Sequence, residues 1–197
     1  GRLRLPESYV LGIGAGEPRK NHLRLLEAFA LLRKGCERKG DMGLVLCGAE
    51  AGHGPVSEER CIDRLGLTSY IRRIGYLDLR DMSAVYQGAI ALAYPSMYEG
   101  FGLPVLEAMS LGVPVLCSGH GAMAEVAGEA ALLADPDSIE SIAGGLERLV
   151  SDAVLREELT SRGRRRAGLF RWDDTAAAHW RLYEEALQQP ARHGWAG

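Results

Sequence analysis

Glu99-Gly100-Phe101-Gly102-Leu103-Pro104-Val105-Leu106-Glu107 sets two carboxylates eight positions apart across a turn bracketed by glycines. Residues 89–94 before it form an apolar run of strand length. Residues 103–111 after it have helical character, with Pro104 in the first turn, where a missing N–H costs little. The stretch therefore reads as strand end, tight turn and helix start, the repeating unit of a parallel sheet covered by helices. Glu99 falls at the carboxyl end of the strand. Gly100 and Gly102 let a ligand approach the backbone, and the amides from Gly100 to Leu103, at the opening helical turn, are free to bind phosphate oxygens. Glu107, one turn into the helix, is placed to accept from sugar or ribose hydroxyls. Taken alone, the two glutamates also fit a turn residue and a helix-surface acid; the glycines and proline between them favour a ligand.

The same alternation runs along the whole chain. Strands are expected at residues 9–13, 44–47, 71–74, 90–94, 115–117 and 131–133, and helices at 21–34, 57–65, 79–87, 103–111 and 123–127. Three further helices, 138–151, 153–168 and 173–188, follow in sequence. The fold class is α/β, a Rossmann-like doubly wound parallel sheet with helices on both faces. In the first helix Leu23, Leu26, Phe29, Ala30 and Leu32 set the apolar stripe. Open sheets of this kind bind ligands beyond the carboxyl ends of their strands, and the loops 14–20, 48–54 and 99–102 should line that edge.

At 197 residues, 47% hydrophobic and 25% charged, the chain has an ordinary globular composition. A net charge of −3 gives no electrostatic case for nucleic acid. Cys36, Cys47, Cys61 and Cys117 show no paired spacing and read as reduced thiols of a cytoplasmic protein. No run approaches the roughly 18 apolar residues of a membrane span, and no leader stands at the start. The chain begins at Gly1 without methionine and is expected to be a piece of a longer protein. Residues 190–197 read as a flexible tail.

Arg19 and Lys20 follow the first strand and precede Asn21, which is expected to cap the next helix. Two cations there meet a diphosphate and neutralise charge as it leaves a sugar, or simply form a solvated pair. Gly12, Gly14 and Gly16 raise a dinucleotide loop, but position 17 is Glu and Glu50, the first acid after the second strand, is too distant; a flexible loop at Gly14 that admits a diphosphate is preferred. The five histidines, His22, His53, His120, His179 and His193, lack the spacing of a metal site or triad and read as surface or helix-face residues; His120 alone is near the expected site. Arg162-Gly163-Arg164-Arg165-Arg166 reads as a solvated helix end, with an anionic lipid surface the lesser alternative. Phe170, Trp172, Trp180 and Tyr183 are expected to pack as core.

The nine-residue stretch, with Pro95 and Ser96 before it and Ala108-Met109 after it, resembles the EX7E motif of retaining GT-B glycosyltransferases, and its spelling is most similar to glycosyltransferase family 4. The resemblance extends to residues 17–21, Leu46-Cys47-Gly48, Gly75-Tyr76-Leu77, Gly112-Val113-Pro114-Val115 and Phe170-Arg171-Trp172, nearly the whole chain. It departs where many members carry Gly-Arg directly after the first strand, a place filled here by Gly12-Ile13-Gly14, with Arg19 as the substitute. At Glu125 the proline of the usual Pro-Glu-Val is replaced by Ala124.

The resemblance implies the donor-binding carboxyl-terminal half of a GT-B fold over residues 1–189, with the amino-terminal acceptor half absent. It implies a nucleoside-diphosphate sugar as donor substrate, GDP- or UDP-linked with mannose as the first expectation, and a saccharide or lipid-linked acceptor. No cofactor or metal is implied. Glu99 contacts the donor sugar, Arg19 and Lys20 the diphosphate, Gly14, Gly100, Phe101, Gly102 and Leu103 the donor through the backbone, and Glu107 the ribose. Tyr76 and Leu77 border the base through their backbone, their side chains being expected in the core. The whole enzyme is then expected to be cytoplasmic, at most peripheral at the inner membrane face. A noncatalytic nucleotide-binding module of the same fold is the alternative.

Overall fold

Among the described residues six short strands, mostly apolar in all but β3, pair into one parallel sheet in the order β3-β2-β1-β4-β5-β6. The computed structural model describes residues 3–35, 42–48 and 56–188. Cys36, Glu50, His53, His193 and the tail lie outside the described residues. The strands are β1 (Tyr9–Ile13), β2 (Gly43–Cys47), β3 (Ile71–Ile74), β4 (Ala91–Tyr94), β5 (Val115–Ser118) and β6 (Leu132–Ala134). The helices are α1 (His22–Lys34), α2 (Val56–Leu65), α3 (Leu79–Gln87), α4 (Leu103–Ser110), α5 (Gly121–Ala127), α6 (Ile139–Ser151), α7 (Ala153–Ala167) and α8 (Trp172–Gln188). A single 3-10 turn, Pro18–Lys20, joins β1 to α1.

The central strands β2, β4 and β5 are buried along their whole length, as near-continuous apolar runs require. Parallel register pairs Val10 with Leu44 on one side and with Ala91 on the other. Gly12 sits mid-strand because a Cβ there would stand 2.8 Å from Leu46 Cδ2 and 3.2 Å from Leu25 Cδ2, so α1 lies directly on the sheet. The stripe of α1 is centred on Leu25, Leu26, Phe29 and Leu32, all buried, while Leu23 is exposed. This corrects the expected stripe by one turn edge. Each such buried side chain contributes about 1.5–3 kcal/mol.

Edge strand β3 solves its exposure with charge. Arg72 faces solvent and Arg73 is buried, its guanidinium donating to Glu58 Oε2 at 2.7 Å and to Glu59 Oε1 at 2.8 Å. The other oxygen of Glu58 meets His22 Nδ1 at 3.0 Å. His22 is buried, against the surface reading given to it, because the first turn of α1 packs on α2 here. Burial would raise the Glu58 carboxyl, but the His22 ring and the Arg73 guanidinium outweigh it and hold it below its ordinary value.

At the end of α7, Arg162, Arg164 and Arg165 are exposed, as a solvated helix end requires, while Arg166 turns inward. Arg166 donates from Nε to Val126 O at 2.9 Å and from Nη2 to Glu125 O at 2.7 Å, closing the last turn of α5. Arg156 does the same for α6, at Leu149 O and Val150 O, and Thr160 Oγ1 takes Gly112 O just beyond α4. Arg162 pairs with Glu158 one turn away. One helix thus satisfies orphan carbonyls at the ends of two others and meets the turn after a third.

The chain divides into a unit of residues 1–167 and a second of 168–197. Within the second, α8 exposes Trp172, Trp180, Leu182, Tyr183 and Leu187. The aromatic residues expected as core are therefore corrected for Trp172, Trp180 and Tyr183. Cys47, Cys61 and Cys117 are free and buried.

Candidate functional site

β1 and β4 are neighbours at the centre of the sheet, and strand order reverses between them: β2 and β3 lie to one side, β5 and β6 to the other. Loops leaving such a pair part toward opposite faces and open a crevice at the carboxyl edge. The turn Pro18–Lys20 after β1 and the loop 95–102 after β4 form its two walls.

The walls are stitched together by backbone acceptors. The Met97 N–H donates to Arg19 O at 2.7 Å, and Ser96 Oγ lies 3.1 Å from the same oxygen. Ser118 Oγ donates to Ser96 O at 2.5 Å. Asn21 Nδ2 donates to Pro95 O at 3.0 Å and Pro136 O at 2.7 Å. That corrects the expected helix cap: Asn21 holds the N-cap position of α1 at φ +61°, but its Oδ1 accepts from Arg24 Nη1 at 3.1 Å and makes no side-chain cap. Asn tolerates this left-handed backbone better than most residues.

Glu99 is the centre of the arrangement. Its Oε1 accepts from Arg19 Nη1 at 2.7 Å, Lys20 Nζ at 2.8 Å, Ser96 Oγ at 2.7 Å and Tyr94 Oη at 2.9 Å. Lys20 Nζ also reaches Tyr94 Oη at 2.5 Å and stands 4.9 Å from the ring centroid. Burial alone would raise the Glu99 carboxyl, but Lys20, Ser96 and Tyr94 hold it below its ordinary value and keep it ionised. Burial, then the Glu99 charge, pushes the Tyr94 phenol up, so Tyr94 stays a donor. Among the described residues Oε2 of Glu99 has no partner and is open to a ligand hydroxyl. Arg19 also lies 3.5 Å from Glu17 in an exposed pair that contributes little.

Gly102 takes φ +100° to turn the chain into α4, and α4 begins without a side-chain cap. Pro104 has no N–H and the Val105 N–H goes to Gly102 O, so the opening amides, those of Gly102 and Leu103 included, are the ones left to meet a phosphate. Phe101 and Leu103 are exposed beside them. Gly14 donates its N–H to Cys47 O and lies against the Lys20 stem and the His22 ring. Glu107 projects from the exposed side of α4 with Oε2 held by Tyr86 Oη at 2.7 Å.

Tyr76 and Leu77 follow β3 at the same edge of the sheet. Tyr76 is 87% exposed, which corrects the core reading of its side chain; Leu77 is half-buried. His120 is exposed at the start of α5. Sequence reading missed Tyr94, Ser118 and Tyr86 as members of the site. Tyr94 alone left a signal, a hydroxyl ending an otherwise apolar strand.

The family model described as glycosyl transferases group 1 matches residues 2–166, and the chain belongs to that family. It is 39% identical over 168 residues to O-antigen chain mannosyltransferase B of Escherichia coli, covering 85% of this chain and 43% of that protein. It is 34% identical over 187 residues to the MMP alpha-(1->4)-mannosyltransferase of Mycolicibacterium hassiacum, covering 92% and 44%. The chain thus spans less than half the length of these relatives. Among solved structures, sucrose-phosphate synthase of Thermosynechococcus elongatus superposes with a TM-score of 0.79 at 27% identity over 94% of this chain and 47% of that one. The C-terminal domain of a glycosyl transferase group 1 family protein of Francisella tularensis gives 0.72 at 26%, over 84% and 87%. The fold is the Rossmann-like carboxyl-terminal half of the GT-B architecture.

Proposed function

We propose that this chain is the donor-binding half of a retaining glycosyltransferase that moves a sugar, mannose in the first instance, from a nucleoside-diphosphate sugar to an acceptor hydroxyl. The single observation that carries this reading is the Glu99 carboxylate, bound through one oxygen to Arg19 and Lys20 at the switch point of the sheet and open at the other. A sugar hydroxyl donates to the open oxygen, while the two cations and the amides from Gly100 to Leu103 take the diphosphate. In the transfer, the bond from the anomeric carbon to the β-phosphate oxygen breaks and the diphosphate keeps the electron pair. The acceptor oxygen forms the new bond and its proton passes to the departing diphosphate. Arg19 and Lys20 stabilise the departing charge, so the reading calls for no metal.

Glu107 accepts from the ribose, and the backbone at Tyr76 and Leu77 borders the base. The names of the mannosyltransferase relatives support mannose as the sugar, and GDP-mannose is tested first, with UDP-linked donors as the competitor. The shorter length of the chain against those relatives supports an acceptor-binding half upstream. No helix among the described residues is long and apolar enough to cross a membrane. We place the whole enzyme in the cytoplasm or at the inner membrane face, next to a saccharide or lipid-linked acceptor.

Calorimetric titration of the chain with GDP, UDP, ADP and the corresponding sugar nucleotides, with and without Mg2+, tests the reading. Selective binding of one base without metal is expected. Binding of a base with no gain from the attached sugar would favour a noncatalytic nucleotide-binding module, and no binding to any ligand would overturn the reading.

A further inference from the structure

Tyr86 lies in the last turn of α3, a helix that follows directly from the loop at Tyr76 and Leu77. The residue is 2% exposed, yet its hydroxyl donates to Glu107 Oε2 at 2.7 Å and lies 3.5 Å from Pro104 O in the first turn of α4. Glu107 itself stands on the exposed side of α4. An exposed glutamate without an anchor samples several rotamers, and a ligand that needs one of them bears the entropy of selecting it. Here the anchor is a buried ring whose own position is fixed by core packing.

We propose that Tyr86 is a positioning residue that holds the Glu107 carboxylate by Oε2 and presents Oε1 to the ribose diol, making the site selective for ribonucleotides. The inference rests on the role given to Glu107 above. A phenol has one proton to donate, and it is committed to Oε2. Burial, then the Glu107 charge, pushes the Tyr86 phenol far up, so the bond keeps its direction at neutral pH. Oε1 has no partner among the described residues and carries lone pairs enough for both hydroxyls of the diol. A similar arrangement holds Glu99, gripped by Oε1 and open at Oε2. The two carboxylates of the motif are thus each anchored on one oxygen by a tyrosine.

The test is titration of the chain and of Tyr86→Phe with GDP and UDP and with their 2′,3′-dideoxy forms. Freeing one such side chain should weaken the ribonucleotide about 3- to 10-fold, with dideoxy affinity unchanged, so that the ribose preference shrinks. A purely structural role would weaken both forms equally, and that outcome, or an unchanged preference, overturns the proposal. Glu107→Asp, too short to reach the phenol, should lose the same preference without touching the buried ring, which serves if Tyr86→Phe fails to fold. Glu107→Gln separates the two levels. If it keeps the full ribose preference, the ribose role of Glu107 fails and this proposal with it; if it loses the preference while Tyr86→Phe keeps it, positioning by Tyr86 alone fails. Absence of binding by GDP and UDP overturns both.

Discussion

Replacing Lys20 with methionine removes one charge and leaves most of the local packing in place. The Lys20 stem lies against Gly14, its Cγ 2.7 Å from where a Cβ on that glycine would stand, and methionine keeps that stem. What goes is a bond to Glu99 Oε1 at 2.8 Å and one to Tyr94 Oη at 2.5 Å. Glu99 retains Arg19, Ser96 and Tyr94, so the carboxylate is not stranded, and the fold should lose only about 1–2 kcal/mol. For a chain of this size that lowers the thermal midpoint by about 2–8 °C. Ligand affinity should fall further. A charge-assisted hydrogen bond to phosphate contributes about 1.5–3 kcal/mol, so the Kd for GDP or UDP, whichever binds, should rise by about 10- to 150-fold. Calorimetry at fixed ionic strength reads both numbers from one preparation. A lowered midpoint with unchanged nucleotide affinity would refute the reasoning, since Lys20 would then serve only to neutralise Glu99.

Gly102→Ala puts a side chain at φ +100° with its Cβ 3.2 Å from Met123 Cγ; we expect a loss of about 1–3 kcal/mol and weaker nucleotide binding, and an unchanged denaturation midpoint would contradict this. Arg166→Ala removes both bonds that close α5; urea unfolding should show about 1–2 kcal/mol less stability while nucleotide affinity holds, because those bonds lie at the end of α5 and not at the crevice. Glu58 has a folded pKa below its ordinary value of 4.5, so its stabilisation is complete above that value and is lost as pH falls through the depressed folded one. Glu58→Gln should therefore flatten the acid limb of a stability–pH curve, and an unaltered limb would remove the His22–Glu58–Arg73 cluster from the account.

Element order was legible because apolar runs and helical stripes alternate without interruption, and β1, β3 and α3 fall at the expected residues. The β4 side of the site was legible for the same reason: Glu99, the glycines and Glu107 lie within nine residues, so their spacing is local. What could not be read are contacts made by topology. Tyr94 and Glu99 meet Lys20 only because β1 and β4 are neighbours, across 74 and 79 positions of chain. His22 and Tyr86 were misplaced or missed likewise, since no periodicity records that a polar tip on a buried face has a partner on another helix. The arginine run of α7 was legible in part: Arg162, Arg164 and Arg165 are exposed, but nothing in a run of four charges records that Arg166 closes the last turn of α5.

The distribution of donors on Glu99 bears on how the crevice changes when a diphosphate enters. Arg19 and Lys20 are drawn to a carboxylate that stays ionised, so Glu99 itself holds both head groups at the crevice. Electrostatic stabilisation is most effective when its groups need no reorganisation. On the proposed reading, an arriving phosphate shares these cations with Glu99, while Ser96 and Tyr94, the neutral donors on the same oxygen, take up the carboxylate's demand. Glu99→Gln follows from this: with the competing charge gone, plain GDP should bind as well or better, whereas GDP-mannose should lose the gain its sugar supplies. A parallel loss for both ligands would show that Glu99 acts by holding the cations in place and not by meeting the sugar.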